Sequence, residues 1–193
     1  MRTQHETGTR ERIVRATSRL MQRQGYEATG LKQISQEAQA TLGSVYHFFP
    51  GGKTELAVAA VQHGDEEFAG LLRAVLARVD DPAKAIIACA DELAEGLRDS
   101  GWLDGCPVIT TALESAGRAP DIQRAAERAF AHWRGLVEDK LRRSGLSEDD
   151  ARDLAHTVIN TLEGAEMSAQ VSQSETPLRL AGGHLARLID SYR

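Results

Sequence analysis

A chain of 193 residues, 41% hydrophobic and 26% charged, has room for one full core or for a small module joined to a larger one, and excludes two large domains. No apolar run approaches the roughly 18 residues of a membrane span, which excludes an integral membrane helix and predicts a soluble protein with no membrane partner. The net charge of −5 is unevenly divided: residues 1–53 carry eight Lys and Arg against four Asp and Glu, and residues 54–193 fifteen against twenty-four. That balance fits a polyanion met by the first quarter alone, although chance clustering of surface charge gives the same numbers.

In chain order the signals are helical, and no segment alternates with the two-residue period of a strand, so an all-α fold of about nine helices is expected. The opening residues, 1–12, lack the apolar core of a secretory signal, and the cytoplasm is the expected compartment. A first helix is predicted over residues 10–24, with Ile13, Ala16, Leu20 and Met21 as its apolar stripe and Gly25 as its stop. A second begins after Thr29 and Gly30 and runs to Ala38, with Leu31, Ile34 and Ala38 on one side. A third covers residues 42–48 and is ended by Pro50, Gly51 and Gly52.

A long helix follows over residues 53–79, broken at Asp81-Pro82, and a fifth spans residues 83–98. Pro107 and Pro120 are placed to open the sixth and seventh, because a first-turn proline loses no helix hydrogen bond. Ser147 with the acids after it resembles a capping box for the eighth, and Thr176-Pro177 starts the last. Cys89 and Cys106 fit no metal-ligand spacing and read as buried or partly buried thiols.

The most informative stretch is residues 41–56, TLGSVYHFFPGGKTEL. Val45 and Phe49 lie four apart and can pack inward, leaving Thr41, Ser44, Tyr46 and His47 for other faces, with Gly43 removing bulk between them. Hydroxyl, imidazole and amine donors so grouped suit a phosphate-contacting surface, and Lys53 adds a cation at the next helix start. Three short amphipathic helices packed only as a structural bundle would show the same periodicity.

These residues resemble the TetR family of bacterial transcriptional repressors, through Ile13, Ala16, Leu20, Gly25-Tyr26, Thr29, Ile34, Ala38, Gly43, Val45-Tyr46, Phe49, Lys53 and Leu56. The extra glycine of FPGGK, with Gly105-Cys106-Pro107 and residues 112–116, resembles the branch containing the lincomycin- and flavonoid-responsive repressors. Three positions depart from the family pattern. Gln39 stands where the turn usually has glycine, Gly30 replaces a Ser or Thr, and Phe48 replaces a histidine. The short helix holds no Arg, Asn or Gln, so base reading is expected to be sparse. The DNA-contacting set is accordingly Lys32 and Gln33 from the second helix, Thr41 and Leu42 at a thymine methyl or base edge, Gly43 and Ser44 beside them, and Tyr46, His47 and Lys53 on phosphates.

The resemblance implies a DNA-binding domain over residues 1–53 and an effector-binding and dimerisation domain over residues 54–193. It further implies a homodimer on a palindromic double-stranded DNA operator, released by a small-molecule effector, with half-sites about 34 Å apart. Phe68, Trp102, Phe130, Trp133, Glu163 and Met167 form the ligand-binding set; for Trp102, Phe130 and Trp133 core packing is the alternative, and for Glu163 and Glu166 a solvated edge. Leu154, Val158, Leu162, Ala165 and Ala169, with Leu178, Ala181, Leu185 and Leu188, are the expected dimer faces, their alternative being packing within one subunit. No cofactor and no metal is expected. A helical metal-dependent enzyme would use Asp153 and His156, but the acid-x-x-His unit occurs without a second copy, and neither a phosphate loop nor a nucleophile elbow is found. A protein-interaction bundle would leave the basic first quarter without a role.

Overall fold

The computed structural model describes residues 8–193; residues 1–7, part of the basic first quarter and of the segment read for a leader, lie outside the described residues. Among the described residues there are nine helices and no strand: α1 (Thr9–Ala28), α2 (Leu31–Glu37), α3 (Leu42–Phe48), α4 (Gly52–Arg78), α5 (Pro82–Asp99), α6 (Pro107–Glu114), α7 (Pro120–Arg143), α8 (Glu148–Ser172) and α9 (Thr176–Asp190). No helix among them is long and apolar enough to cross a membrane.

Most boundaries follow from local chemistry. Asp81 caps α5 by accepting from the Lys84 N–H at 2.9 Å, and Pro82 occupies the first turn. Ser147 caps α8, accepting from the Asp150 N–H at 3.1 Å, and three acids lie in the first turn where the helix dipole favours them. Gly52 has φ +66, a left-handed conformation that only glycine adopts without strain, so the second glycine of FPGGK is what lets the chain turn into α4. The Glu55 carboxylate accepts from the Gly51 N–H at 2.8 Å and satisfies one donor at that helix start.

The contacts group the chain into two compact units, one of residues up to Gly64 with Pro107–Ala126, the other of Asp65–Cys106 with Glu127–Arg193. In the first, α1, α2 and α3 close on Ile13, Ile34, Val45, Phe49 and Leu56, all without exposed surface. Helix α6 packs on α1 in the same unit. Its Glu114 accepts from the Glu27 N–H at 3.0 Å, and Arg118 pairs with Glu27 at 2.8 Å. The stop expected at Gly25 is a break inside α1, at φ 83 and ψ 172, and a Cβ there would collide with the Glu114 carboxylate. Glycine is therefore required by backbone conformation, and a larger residue would also have to push the Glu114 carboxylate aside.

In the second unit α5 and α8 pack on α9 and on each other around Ile86, Leu97, Ile159, Leu162, Leu178 and Ile189. Cys89 is buried there, and burial pushes its thiol up to about 12, the environment of an inert structural cysteine. Lys140 of α7 donates to the carbonyls of Leu76 at 2.9 Å and Val79 at 2.7 Å, placing a cation on the carbonyl end of α4.

Candidate nucleic-acid interface

Helices α2 and α3 are joined by a tight turn whose hydrogen bonds are complete. The Ala40 N–H donates to the Ser35 carbonyl at 2.9 Å and the Gln39 N–H to the Gln36 carbonyl at 3.1 Å. Gln39 takes φ +50, so this position is left-handed although it is not glycine, at a cost of about 1 kcal/mol. Arg12 of α1 bonds the Ala38 carbonyl at 3.3 Å and helps hold the turn. Thr41 caps α3, accepting from the Ser44 N–H at 3.0 Å, and its hydroxyl lies 2.9 Å from that of Ser44. At α2 the cap is Gly30 with no side-chain bond, because the Thr29 hydroxyl is buried and turned back to the Gly25 carbonyl at 2.7 Å.

The fold brings the predicted DNA-contacting residues to the surface of one unit. Val45 and Phe49 face the core, while Thr41, Leu42, Gly43, Tyr46 and His47 are exposed and Ser44 is half-buried. Leu42 and Tyr46 are 42% and 51% exposed, a large apolar and a large aromatic side chain left outside by a seven-residue helix. Lys32 and Gln33 are exposed on α2, and Gln33 exchanges side-chain amide hydrogen bonds with Gln24 at 2.8 and 3.1 Å. Lys53 lies 4.5 Å over the Tyr26 ring and donates to the Glu27 carbonyl at 3.1 Å, which fixes its ammonium group beside the first turn of α4. Phe48 is half-buried, its ring edge-on to His47 at 5.0 Å.

The residues expected around an effector divide in the second unit. Trp133 has no exposed surface; it meets Phe68 edge-on at 4.8 Å and Phe130 at 5.0 Å, and its indole N–H donates to the Asp65 carbonyl at 3.3 Å. Trp133 is a core residue, while Phe68 and Phe130 beside it are half-buried. Trp102 is half-buried at φ +67, its N–H bonded to the Leu97 carbonyl at 2.7 Å. Met167 requires a correction: it is 47% exposed, because the inward side of α8 is formed by Leu162, Glu163, Glu166 and Ala169 and position 167 lies off it. Glu163 and Glu166 are only 4% and 7% exposed, which excludes a solvated edge. Burial raises Glu163 to about 7, against a hydrogen bond from the Cys106 side chain; burial and the charge of Glu163 raise Glu166 to about 8.

The expected dimer faces are also corrected. Leu154, Val158, Leu162, Ala169, Leu178, Ala181 and Leu185 are buried in the chain's own interior, and only Ala165 and Leu188 are partly exposed. Helical spacing identified apolar stripes but not their partner, and α5 together with the α8–α9 packing already covers them. The exposed sides of α8 and α9 carry Gly164, Met167 and Val171 on one helix and Leu180 with the half-buried Gly183 on the other, Val171 being 87% exposed.

Asp153 and His156, weighed as a metal pair, are both exposed, and Asp153 lies 3.8 Å from Arg152. A different group converges instead. His132 of α7 is 2.9 Å from Asp65 of α4, and Arg73 reaches both His132 at 3.3 Å and Glu66 at 3.2 Å. The ligand atoms of Asp65, Glu66 and His132 lie within 4.8 Å of one another. The Arg73 guanidinium already supplies a cation to this group, which joins two helices of one unit. Residues 67 apart in sequence with no shared motif gave no signal for it.

Residues 13–60 match the family described as bacterial regulatory proteins, tetR family, and residues 82–184 match the family described as transcriptional regulator LmrA/YxaF-like, C-terminal domain. The chain is 36% identical to the HTH-type transcriptional regulator LmrA of Bacillus subtilis, over 88% of this chain and 90% of that protein. It is 33% identical to the HTH-type transcriptional regulator YxaF of the same organism, over 94% of this chain and 95% of that one. Among solved structures, a TetR transcriptional regulator from Chloroflexus aurantiacus superposes with a TM-score of 0.79 at 29% identity, covering 94% of each chain. A regulatory protein TetR from Rhodobacter sphaeroides shares the fold with a TM-score of 0.83 at 24% identity, over 93% of this chain and 97% of that one.

Proposed function

The chain belongs to the TetR family of bacterial transcriptional regulators, with a C-terminal domain of the LmrA/YxaF type, and on that premise we propose that it is a homodimeric repressor released from a palindromic operator by a small-molecule effector. The observation that carries this reading is the division of α3, whose Val45 is held in the core while Thr41, Leu42, Tyr46 and His47 stand outside on a capped, rigid turn. Such a helix presents donors to phosphates and one apolar side chain to a thymine methyl, and two copies compensate for its sparse base contacts. Residues 1–53 carry the DNA-binding role and residues 54–193 the effector and dimer roles. The second copy docks on the outward sides of α8 and α9, where Gly164 leaves open space beside Met167, Val171 and Leu180. Effector binding favours a conformation whose two DNA-binding heads no longer match the operator.

The test is a mobility-shift titration on the intergenic segment beside the gene, at several salt concentrations. Lys53→Ala is expected to weaken binding to matched and mismatched sites alike and to reduce the salt slope by about 1. Leu42→Ala is expected to erode the preference between those sites. Loss of preference in the lysine variant with the leucine variant unaffected would sink the assignment.

A further inference from the structure

Glu163 and Glu166 lie three residues apart on α8, one turn of the same helix side, and both are nearly enclosed. A buried carboxylate in a folded protein ordinarily has an arginine, a lysine or several backbone N–H groups against it, since an uncompensated charge costs several kcal/mol. Burial is the main influence on both, with the Cys106 side chain bonding Glu163 and the charge of Glu163 acting on Glu166. The Oε2 atom of Glu163 is buried and has no hydrogen-bond partner.

An enclosed acid with an acceptor left unmade points to a partner that arrives from outside. We infer that Glu163 and Glu166 anchor an organic cation, a ligand carrying a protonated amine or a quaternary nitrogen. This rests on the effector-binding role proposed above and specifies its chemistry. A neutral donor would satisfy Oε2 of Glu163 but would give the second carboxyl nothing, whereas a cation stabilises the ionised form of both. An anion would meet two acids and be repelled when either is ionised. A metal ion is disfavoured because, among the described residues, three ligand atoms within 4.8 Å occur at Asp65, Glu66 and His132 and not at this pair.

The test uses probes matched in size and opposed in charge: tetraphenylphosphonium against tetraphenylborate, and benzyltrimethylammonium against benzyl alcohol. Binding is read as the rise in thermal-unfolding midpoint and as a Kd by calorimetry, in the full chain and in Glu163→Gln and Glu166→Gln. The expected result is binding of the cations, at least tenfold weaker in Glu163→Gln, with no binding of the borate or the alcohol. Circular dichroism of both glutamine variants is expected to match the parent, which separates a lost anchor from a lost fold. Equal binding of a probe and its opposite, cation affinity unchanged in both variants, or no binding by either cation overturns the inference. Release of operator DNA is measured in parallel. Release by neutral or anionic compounds, undiminished in Glu163→Gln, overturns the cation anchor and leaves the effector role; Glu163-dependent cation binding without release leaves the anchor and removes the role.

Discussion

In α3 the polar side chains stand at the surface over Ile34, Val45 and Phe49, whereas in α8 two carboxyl groups lie among Leu162, Ala169 and their neighbours with almost no access to water. Both helices are amphipathic by spacing, yet the first exposes the groups that would meet a ligand and the second encloses them. The difference is one of solvent. A polyanion such as DNA is met by donors that remain hydrated until contact, and long-range attraction brings the two together. A small molecule is held in a low-dielectric interior, where a single unsatisfied acceptor already discriminates strongly between ligands.

The comparison is tested first by pH. Glu163 and Glu166 keep protons in the folded chain at pH values where the unfolded chain, with carboxyls near 4.5, has released them. Stability contributed by these protons is present at low pH and is lost as pH rises from about 4.5 through about 7 to 8. Ionising one of the two is expected to remove about 3 kcal/mol over that window. Urea unfolding at pH 5 and pH 8 should show the loss in the parent and a flatter profile in the Glu163→Gln, Glu166→Gln double variant. An identical pH slope in both would place the titrating groups elsewhere.

A smaller effect is expected in the first unit, from Gly25→Ala. Its φ of 83 with ψ of 172 belongs to glycine, and the new Cβ must displace the Glu114 carboxylate, so a loss of about 2 kcal/mol is expected in thermal unfolding. Gly30→Ala is the control: that cap has φ −101 and nothing within 4 Å, so no collision follows and the loss is that of a poorer N-cap, about 0.5–1 kcal/mol. Equal losses at the two positions would refute the collision with Glu114. The smallest effect is on the exposed side of α3. Thr41→Ala removes the bond to the Ser44 N–H, at a cost of about 1 kcal/mol, and should weaken operator binding through fraying of the first turn. Thr41→Ser retains the cap and is expected to restore both stability and binding.

Much of the molecule was legible in the sequence because its helices announce their own ends. Asp81-Pro82, Ser147 and Thr176-Pro177 act locally, through caps and a fixed φ, and the helices begin where those residues stand. The inward placement of Val45 and Phe49 was equally local, following from four-residue spacing in one short helix. The partner of an apolar stripe was not legible. Leu154, Val158 and Leu185 show the same periodicity whether they meet α5 and α9 of their own chain or a second copy, and only the packing shows that their own chain covers them. Met167 was misplaced for a related reason, since one residue of rotation on a helix separates it from the buried Glu166.

The sequence by itself determined the helices, the turn between α2 and α3, the face that α3 keeps outside and the family, because all of these depend on interactions within a few residues. Tertiary structure decided the rest. It showed that Gln39 accepts a left-handed turn, that Glu114 fills the space Gly25 leaves, that His132 meets Asp65 and Arg73, and that Glu163 and Glu166 are enclosed with one Glu163 oxygen unpartnered. Those facts depend on which distant segments arrive beside a residue, and burial of a charge is a property of its neighbours rather than of its position in a motif.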